Sequence, residues 1–253
     1  MSSRKIRLLC ANIQAGATTR RKLDYLTKGW SLWLPFGKNN NLDVIAEAAA
    51  KHDLVGLQET DGGSLRSGFV CQAAVVADRS GLPHSSRQIN RALGPMMASG
   101  NALIGRYEPT RIESFVLPSR IPGRGVLRAE YALKNGSFLT VVVAHLSLRA
   151  SARQYQAARI AELLADAEHP VLMGDFNCLS TAPEMQILFQ KTNLRPPPQS
   201  LATYPAWSPS RAIDHIWVGG GLKHGPIEVV SIGGSDHLAL STQLSLPSGI
   251  VGS

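Results

Sequence analysis

The number of short apolar segments that could each form a β-strand limits the fold of this sequence more than any other feature. Ten such segments occur, and several of them, including residues 54–58 and 138–146, are nearly continuous apolar runs. A continuous apolar run is typical of a strand that is buried on both faces of its sheet. The predicted strands are residues 6–11, 54–58, 70–77, 102–105, 126–133, 138–146, 170–175, 212–219, 227–232 and 238–246.

Amphipathic stretches between these segments predict helices at residues 42–53, 151–168 and 182–192. The last of these has Ser180 or Thr181 as a candidate N-cap and Pro183 in its first turn, which is a common helix start. Ten strands are too many for one ordinary sheet. Two stacked sheets with helices outside them would bury all of the strands, so an α/β fold is expected.

The chain shows no break in composition that would mark a linker, and no internal repeat, so residues 1–253 are expected to form a single domain. No apolar run approaches the roughly 18 residues that a membrane span needs, and the N-terminal residues lack the apolar core of a signal peptide. A soluble, cytoplasmic protein is therefore expected. The three scattered cysteines, Cys10, Cys71 and Cys178, suit reduced packing residues better than a disulfide framework.

The positive charge is concentrated at one end of the chain. Residues 1–38 hold eight Lys and Arg residues and one acid, which is +7 of the formal net charge of +8. This asymmetry indicates an anionic partner, either nucleic acid or a membrane surface, and a solvated basic face is the alternative. No protein partner is evident from the sequence.

Polar residues recur where the predicted strands end, in contexts where burial would penalise them. A buried charge costs several kcal/mol unless it is paired or bound to a metal. One shared site where strand ends converge would explain all of these positions together. The residues are Asn12, Glu59, His145, Asp175, Asn177, Asp214, Asp236 and His237.

Taken singly, each of these residues has an ordinary structural explanation. Asp175 and Asn177, two positions apart, would project together from a strand, but Asp-x-Asn also favours turns. Glu59 could be a helix-start acid, and His145 could be a hydrogen-bonded core histidine. Asp214 could form a local salt bridge, and Asp236 could cap a loop.

The chemistry that this set could perform together is phosphoester cleavage. Carboxylate and amide oxygens suit a hard cation such as Mg²⁺ or Mn²⁺, which can polarise a phosphoryl oxygen. A histidine held by a carboxylate can exchange a proton with water or donate a hydrogen bond to the phosphate. The neutral Asn177 could orient the attacking water.

The order and spacing of these residues resemble the endonuclease/exonuclease/phosphatase superfamily, which includes deoxyribonucleases, abasic-site endonucleases, sphingomyelinases and inositol-polyphosphate phosphatases. The resemblance spans nearly the whole chain and rests on the segments CANIQAG, GLQET, GNALIGR, AHLSL, MGDFN, AIDHIWV and SDH. It implies a four-layer α/β sandwich, in which two stacked mixed β-sheets are flanked by helices and the site lies at one edge of both sheets.

The resemblance also implies a role for each matched residue. Glu59 would be the main ligand of the metal, with Asn12 and Asp236 close to it. Asp175 and Asn177 would position the attacking water and the phosphate. His237, oriented by Asp214, would be the acid, base or phosphate-binding group, and His145 would stabilise charge on the phosphate. The sequence does not decide whether Asp175 or His237 is the base.

Two departures bear on the substrate. Abasic-site enzymes resemble the pattern N-x-D at Asn12, and Gln14 stands here in place of the Asp. His145 stands where those enzymes tend to carry Tyr, so the chain is more similar to the deoxyribonuclease and sphingomyelinase branches. Arg124 and Arg128 could bind a phosphate, and a structural salt bridge is the equal alternative for either.

The segment at residues 20–38 mixes five basic residues with Trp30, Trp33 and Phe36 and is expected to border the site. Such a mixture could stack bases, seat rings at a lipid interface, or fold back as an apolar plug. We therefore expect a metal-dependent phosphodiesterase that acts on nucleic acid. The alternatives are a lipid-headgroup phosphodiesterase similar to a sphingomyelinase, peripheral on a membrane, a small-molecule phosphatase, and a catalytically silent binding protein.

Overall fold

The computed structural model describes residues 5–17, 38–120 and 122–252, and within them the strands form two sheets. The larger sheet has seven strands, in the order β10-β12-β1-β2-β4-β3, with β11 paired to β12. The pair β1/β2 is parallel and the other pairs are antiparallel, so the sheet is mixed. Its strands are β1 (Lys5–Asn12), β2 (Leu54–Asp61), β3 (His84–Leu93), β4 (Met97–Gly105), β10 (Lys223–His224), β11 (Glu228–Val230) and β12 (Ala239–Ser245).

The smaller sheet has five strands in the order β5-β6-β7-β8-β9, and only its pair β7/β8 is parallel. Because β1/β2 and β7/β8 are the parallel pairs, the carboxyl ends of each pair lie side by side. The strands are β5 (Arg111–Val116), β6 (Gly125–Ala132), β7 (Phe138–His145), β8 (His169–Asp175) and β9 (Asp214–Val218).

Four α-helices in the described part of the chain cover the outer faces of the sheets. They are α1 (Lys38–Ala49), α2 (Gln72–Ser80), α3 (Ala150–Leu163) and α4 (Gln186–Lys191). The apolar side chains of α1 and α2 pack on the seven-stranded sheet, and those of α3 and α4 pack on the five-stranded sheet. The predicted four-layer α/β sandwich is confirmed.

The continuous apolar runs do what the pattern predicts, because both faces of the central strands are buried. Leu8 and Cys10 of β1 point into the core between the sheets, whereas Leu9 points to the helix layer. In β7, Val143 faces the other sheet and Val142 faces the helices. Because both faces of these strands are buried, their polar residues are confined to the strand ends, at the edge of the sheets.

Three local predictions are wrong. The strand predicted at residues 70–77 is helix α2, whose buried Ala73, Val76 and Ala77 follow a helical spacing despite the two adjacent valines. Strands β3 and β5 were not predicted, because they are exposed on one face and carry many polar residues. The third wrong prediction is the N-cap of the helical turn Pro183–Met185, which leads into α4. Ala182 occupies the N-cap position, and neither Ser180 nor Thr181 caps the turn.

The cysteines and the helices bear on two other expectations. Cys10, Cys71 and Cys178 are free thiols, and two of them are buried. Among the described residues, no helix is long and apolar enough to cross a membrane. The basic and aromatic segment at residues 20–38 lies outside the described residues, apart from the backbone of Lys38 at the start of α1.

Candidate active site

The polar residues singled out in the sequence lie at one common edge of the two sheets. Asn12, His145 and Asp175 end β1, β7 and β8, and Glu59 lies near the end of β2. The strands that run the opposite way bring their starting ends to the same edge. Asp214 begins β9, Arg124 directly precedes β6, and Asp236 and His237 lie shortly before β12.

His237 and Asp214 form a buried hydrogen-bonded pair. The Nδ1 atom of His237 lies 2.9 Å from the Oδ2 atom of Asp214, so Nδ1 carries a proton and donates a hydrogen bond to the carboxylate. Burial opposes the charged imidazole, but the charge of Asp214 and this hydrogen bond outweigh it and raise the pKa of His237 to about 10. The Nε2 atom points toward Asp175, whose Oδ2 atom is 3.9 Å away.

Asp175 is the residue on which the other side chains converge. Its Oδ2 atom accepts a hydrogen bond from Asn12 at 3.1 Å, which joins the ends of the two sheets. Burial and the neighbouring charge of Asp214 raise the pKa of Asp175 to about 7, although His237 and the hydrogen bonds act against that rise. A carboxyl group with such a pKa can both hold and release a proton near neutral pH.

His145 is held between Arg124 and Asp175. Arg124 donates a hydrogen bond to Nδ1 at 3.1 Å, so Nδ1 is the acceptor and the proton lies on Nε2. That Nε2 atom is 3.4 Å from Oδ2 of Asp175. Burial, together with the positive charges of Arg124 and His237, lowers the pKa of His145 well below its usual value, so this imidazole is neutral.

Asn177 lies beside Asp175, but not in the way that a continued strand would place it. Strand β8 ends at Asp175, and Asn177 has a left-handed backbone with φ of 55°. Its backbone N–H donates to Oδ1 of Asp175 at 2.9 Å, and its side chain donates to the carbonyl of Leu146 at 3.0 Å. The expectation of two side chains projecting from one strand is therefore wrong, and the turn geometry that Asp-x-Asn also favours is what occurs.

Glu59 reaches the site because β2 is irregular at this point. The register of β2 against β4 shifts between Leu57 and Thr60, and Glu59 has a φ of 57°. Such bulges re-aim a side chain and store strain at functional sites. Burial and the negative charge of Asp236 raise the pKa of Glu59, while Arg124 and His237 oppose the rise. The charges of these two carboxylates thus interact at the sheet edge.

The loop that carries Asp236 and His237 is fixed to the end of β1. Ser235 donates its hydroxyl proton to the carbonyl of Asn12 at 2.6 Å and accepts the backbone N–H of His237 at 3.2 Å. The backbone carbonyl of Asp236 accepts a hydrogen bond from Ala206 at 2.7 Å. These bonds position the short SDH segment at the end of β1.

The chemistry of the donor set fits a divalent cation. Glu59 and Asp236 provide carboxylate oxygens, and a cation between them would relieve the repulsion that raises the pKa of Glu59. Asp175, Asp214 and His237 also bring ligand atoms within 4.8 Å of one another and could hold an ion. In that cluster, however, Oδ2 of Asp214 already accepts hydrogen bonds from His237 and Thr203.

The two predicted substrate-binding arginines differ in their surroundings. Arg124 is half-buried within the site and contacts His145, as described above. Arg128, which lies inside β6 and further from the edge, contacts Glu113 at 3.0 Å and Glu130 at 2.5 Å. Arg128 thus forms the structural salt bridge that was the alternative for it, and it is not brought together with the other site residues.

Two residues at the site were not foreseen. Thr203 donates to Oδ2 of Asp214 at 2.5 Å, and the ring of Tyr204 packs against His237 with a centroid distance of 4.9 Å. Both lie in the irregular segment before β9, where a lone Thr-Tyr pair carries no sequence signal for a catalytic role. Together they hold the His237–Asp214 pair in place.

With fold and site in view, comparison with known proteins identifies the class. The model of the Endonuclease/Exonuclease/phosphatase family matches residues 11–237, so the chain belongs to this family, whose members hydrolyse phosphoester bonds. The match begins just before Asn12 and ends at His237, and it therefore includes every site residue discussed above. No curated protein matches the chain significantly.

Solved structures agree in fold at low sequence identity. An endonuclease/exonuclease/phosphatase from Beutenbergia cavernae DSM 12333 has a TM-score of 0.75 and 18% identity, over 96% of this chain and 72% of that one. The mannosyl-6-phosphatase Bt3783 of Bacteroides thetaiotaomicron VPI-5482 has a TM-score of 0.66 and 17% identity, over 95% and 100%. ANGEL2, a 2′,3′-cyclic phosphatase, has a TM-score of 0.69 and 14% identity, over 96% of each chain.

Proposed function

We propose that this protein is a Mg²⁺- or Mn²⁺-dependent phosphodiesterase that hydrolyses nucleic acid, with residues 1–253 acting as one domain. The observation that carries the proposal is the position of the His237–Asp214 pair next to Asp175, at the sheet edge where the charges of Glu59 and Asp236 interact. Phosphodiester hydrolysis needs a positioned water, a group that takes its proton, and positive charge at the phosphate. Each of these requirements has a candidate residue.

Asp175 is assigned as the base. Its raised pKa, about 7, suits a group that takes a proton from water near neutral pH. Asn12 and the neutral His145 hold its Oδ2 atom, which fixes the direction of the carboxylate. Asn177, held by Leu146, lies next to this carboxylate and orients the water and the phosphate.

His237 is assigned as the phosphate-binding cation. With a pKa of about 10 it is protonated at neutral pH, so its Nε2–H can donate to a phosphoryl oxygen. Asp214 fixes the ring through Nδ1 and keeps it charged. Arg124 adds a second positive charge to the site and contacts His145.

Glu59 and Asp236 would hold the metal, with the side chain of Asn12 close to them. When bound there, a divalent cation polarises a phosphoryl oxygen and stabilises the charge of the leaving alkoxide. The residue roles above do not depend on which of Mg²⁺ and Mn²⁺ is used.

Cleavage of supercoiled plasmid DNA with Mg²⁺, Mn²⁺ or EDTA tests the proposal. We expect the wild-type protein to nick the plasmid with either metal and to be inactive in EDTA. Asp175→Ala protein, purified in parallel, should be inactive throughout, which excludes a contaminating nuclease. Absence of nicking by the wild type with both metals would reject nucleic acid in favour of lipid headgroups or small phosphate esters.

One observation favours a lipid-headgroup phosphodiesterase as the second candidate. Leu65, Phe69, Leu93 and Met96 are exposed apolar side chains on two adjoining segments, the turn after β2 and the connection from the end of β3 to β4, which are joined by a hydrogen bond from the backbone N–H of Leu65 to the carbonyl of Pro95 at 2.8 Å. Exposed apolar groups near basic residues can seat at an anionic membrane. Vesicle binding that is lost in Phe69→Ala/Met96→Ala protein, with DNA affinity unchanged, would support this alternative.

A further inference from the structure

A cavity of about 690 Å³ adjoins the candidate active site and is rich in arginine. Glu59 and Arg124 of the candidate site are part of its lining, so the cavity is continuous with that site. The volume is of the size that holds a drug-sized ligand and is far larger than a single phosphate needs. The five arginines of this lining, which we call the arginine cavity, are Arg66, Arg91, Arg120, Arg124 and Arg149.

The charge of this lining is one-sided. Among the described residues that line the cavity, Glu59 is the single acid, and its charge interacts with that of Asp236 at the proposed metal position. Arg91, Arg120 and Arg149 are exposed, and no described acid forms an ion pair with any of them. Guanidinium groups in a concave surface focus a positive field and bind phosphate through paired N–H donors.

One wall of the cavity lies around Arg91, and another lies at the start of α3. On one wall, Arg91 packs against the loop that leads to Arg124, since a Cβ atom placed on Gly123 would lie 3.0 Å from Cβ of Arg91. The other wall is the start of α3, where Arg149 precedes the helix and Tyr155 projects from its second turn. Tyr155 is 68% exposed and offers a ring face at the rim.

We propose that the arginine cavity binds a second phosphate of the substrate, next to the one that is cleaved, with an adjacent base stacked on Tyr155. Arg91 and Arg149 would contact this second phosphate from these two walls. The substrate class is then an oligonucleotide with at least two phosphates, rather than an ester with a single phosphate. This inference rests on the proposed phosphodiesterase activity and adds to it a subsite outside the catalytic residues.

The test compares three substrates that differ only in a second phosphate: the dinucleotide dTpdT, and the same dinucleotide with a terminal phosphate at its 5′ or its 3′ end. We expect kcat/KM of the wild type to be about tenfold or more higher for one of the two phosphorylated forms, as a charge-assisted contact to phosphate predicts. Arg91→Ala/Arg149→Ala protein should lose this ratio. Arg159→Ala is the matched control, because Arg159 lies on α3 outside the cavity lining and pairs with Glu162.

A binding measurement separates this inference from the proposed activity. Calorimetric titration of the same dinucleotides in EDTA requires no turnover, and the phosphorylated form should bind about tenfold tighter to the wild type than to Arg91→Ala/Arg149→Ala protein. Tyr155→Ala should also weaken binding, whereas Tyr155→Phe should retain it.

The outcomes are distinct. Equal kcat/KM and Kd for all three dinucleotides, or a phosphate preference that survives in Arg91→Ala/Arg149→Ala protein, would overturn the subsite and leave the phosphodiesterase proposal standing. Failure to hydrolyse any of the three would count against the phosphodiesterase proposal, and the titration would still decide whether the cavity binds the second phosphate.

Discussion

The Nδ1 atom of His237 lies 2.9 Å from the Oδ2 atom of Asp214, although the two residues belong to segments of different sheets. Asp214 begins β9 of the five-stranded sheet, and His237 leads into β12 of the seven-stranded sheet. The bond therefore forms only when the sheets are packed face to face. This dependence couples the charge state of His237 to the assembly of the whole core.

Replacing Asp214 with Asn should impair both catalysis and substrate binding. The amide cannot supply the negative charge that keeps His237 protonated, so kcat should fall on the order of 10²-fold or more and KM should rise as the contact of His237 with the phosphate weakens. Steady-state kinetics at neutral pH would measure this. Asp43→Asn, the same change at an exposed surface ion pair with Arg79, should leave kcat unchanged. An equal fall in both variants would count against the assigned role.

Replacing Glu59 with Gln should affect metal binding and stability in opposite directions. Loss of the carboxylate should weaken Mg²⁺ binding by about tenfold or more, since even the loss of a side chain that only supports a metal ligand commonly costs this much. Burial and Asp236 raise the pKa of Glu59, so the uncharged amide should make the metal-free protein equally or more stable. Calorimetric Mg²⁺ titration and melting in EDTA would measure both. Unchanged Mg²⁺ affinity would remove Glu59 from the metal site.

The metal-free protein should lose stability as the pH rises. His237 has a folded-state pKa of about 10 against an ordinary value of 6.5, so its contribution is complete below 6.5 and declines up to 10. Asp175, with its pKa raised to about 7 from 3.8, acts in the same direction at lower pH. Urea unfolding in EDTA should show a loss of about 2 to 3 kcal/mol between pH 6.5 and pH 9.

The variant His237→Gln tests whether His237 is the titrating group. His237→Gln protein should show little of the decline above pH 6.5, because the titrating group is removed. A wild-type stability that stays flat over that range would show that the bond to Asp214 does not hold His237 in its charged form.

Replacing Asp61 with Asn should destabilise the loop that follows β2. The Asp61 carboxylate accepts hydrogen bonds from the backbone N–H groups of Gly63 and Ser64 and from the hydroxyls of Ser64 and Ser67, and it contacts Arg66 at 3.0 Å. Burial disfavours the charge, but these bonds outweigh it and lower the pKa of Asp61 to about 2.

That shift of the Asp61 pKa corresponds to about 2 kcal/mol of stability, which is present above pH 4 and is lost as the pH falls toward 2. Urea unfolding at pH 7 should show a deficit of this size in Asp61→Asn protein, and the deficit should shrink as the pH falls toward 4 and below. A deficit that does not change with pH would mean that the carboxylate charge has no part in it.

The double burial of the central strands made most of the fold predictable from the sequence. Strands β1, β7 and β8 appear as apolar runs because one face meets the other sheet and the other face meets helices. Strand β3 has only a partner strand on one side and many exposed residues, so its sequence resembles a loop. The sequence of helix α2 predicts a strand, because its short length and adjacent valines hide the helical period.

The candidate site was predictable in its residues and less so in its geometry. Polar residues such as Asp175 and Asp214 stand out where an apolar run ends, which marks them without a structure. Thr203 is a different case, because its contact with Asp214 depends on how an irregular segment crosses the sheet edge. The arginine cavity likewise gathers residues from four separate segments, and no local pattern brings Arg91 near Arg149.

The most direct test of the central claim is the rate at which Asp175→Asn protein hydrolyses the generic phosphodiester bis(p-nitrophenyl) phosphate in saturating Mg²⁺ or Mn²⁺, because this substrate needs no subsite beyond the catalytic groups. The amide keeps the shape of the side chain but cannot take a proton from water. We predict a metal-dependent rate in the wild type and a loss on the order of 10³-fold in the variant, with a melting temperature that does not fall. A variant that retains the wild-type rate would contradict the assignment of Asp175 as the base and, with it, the proposed mechanism.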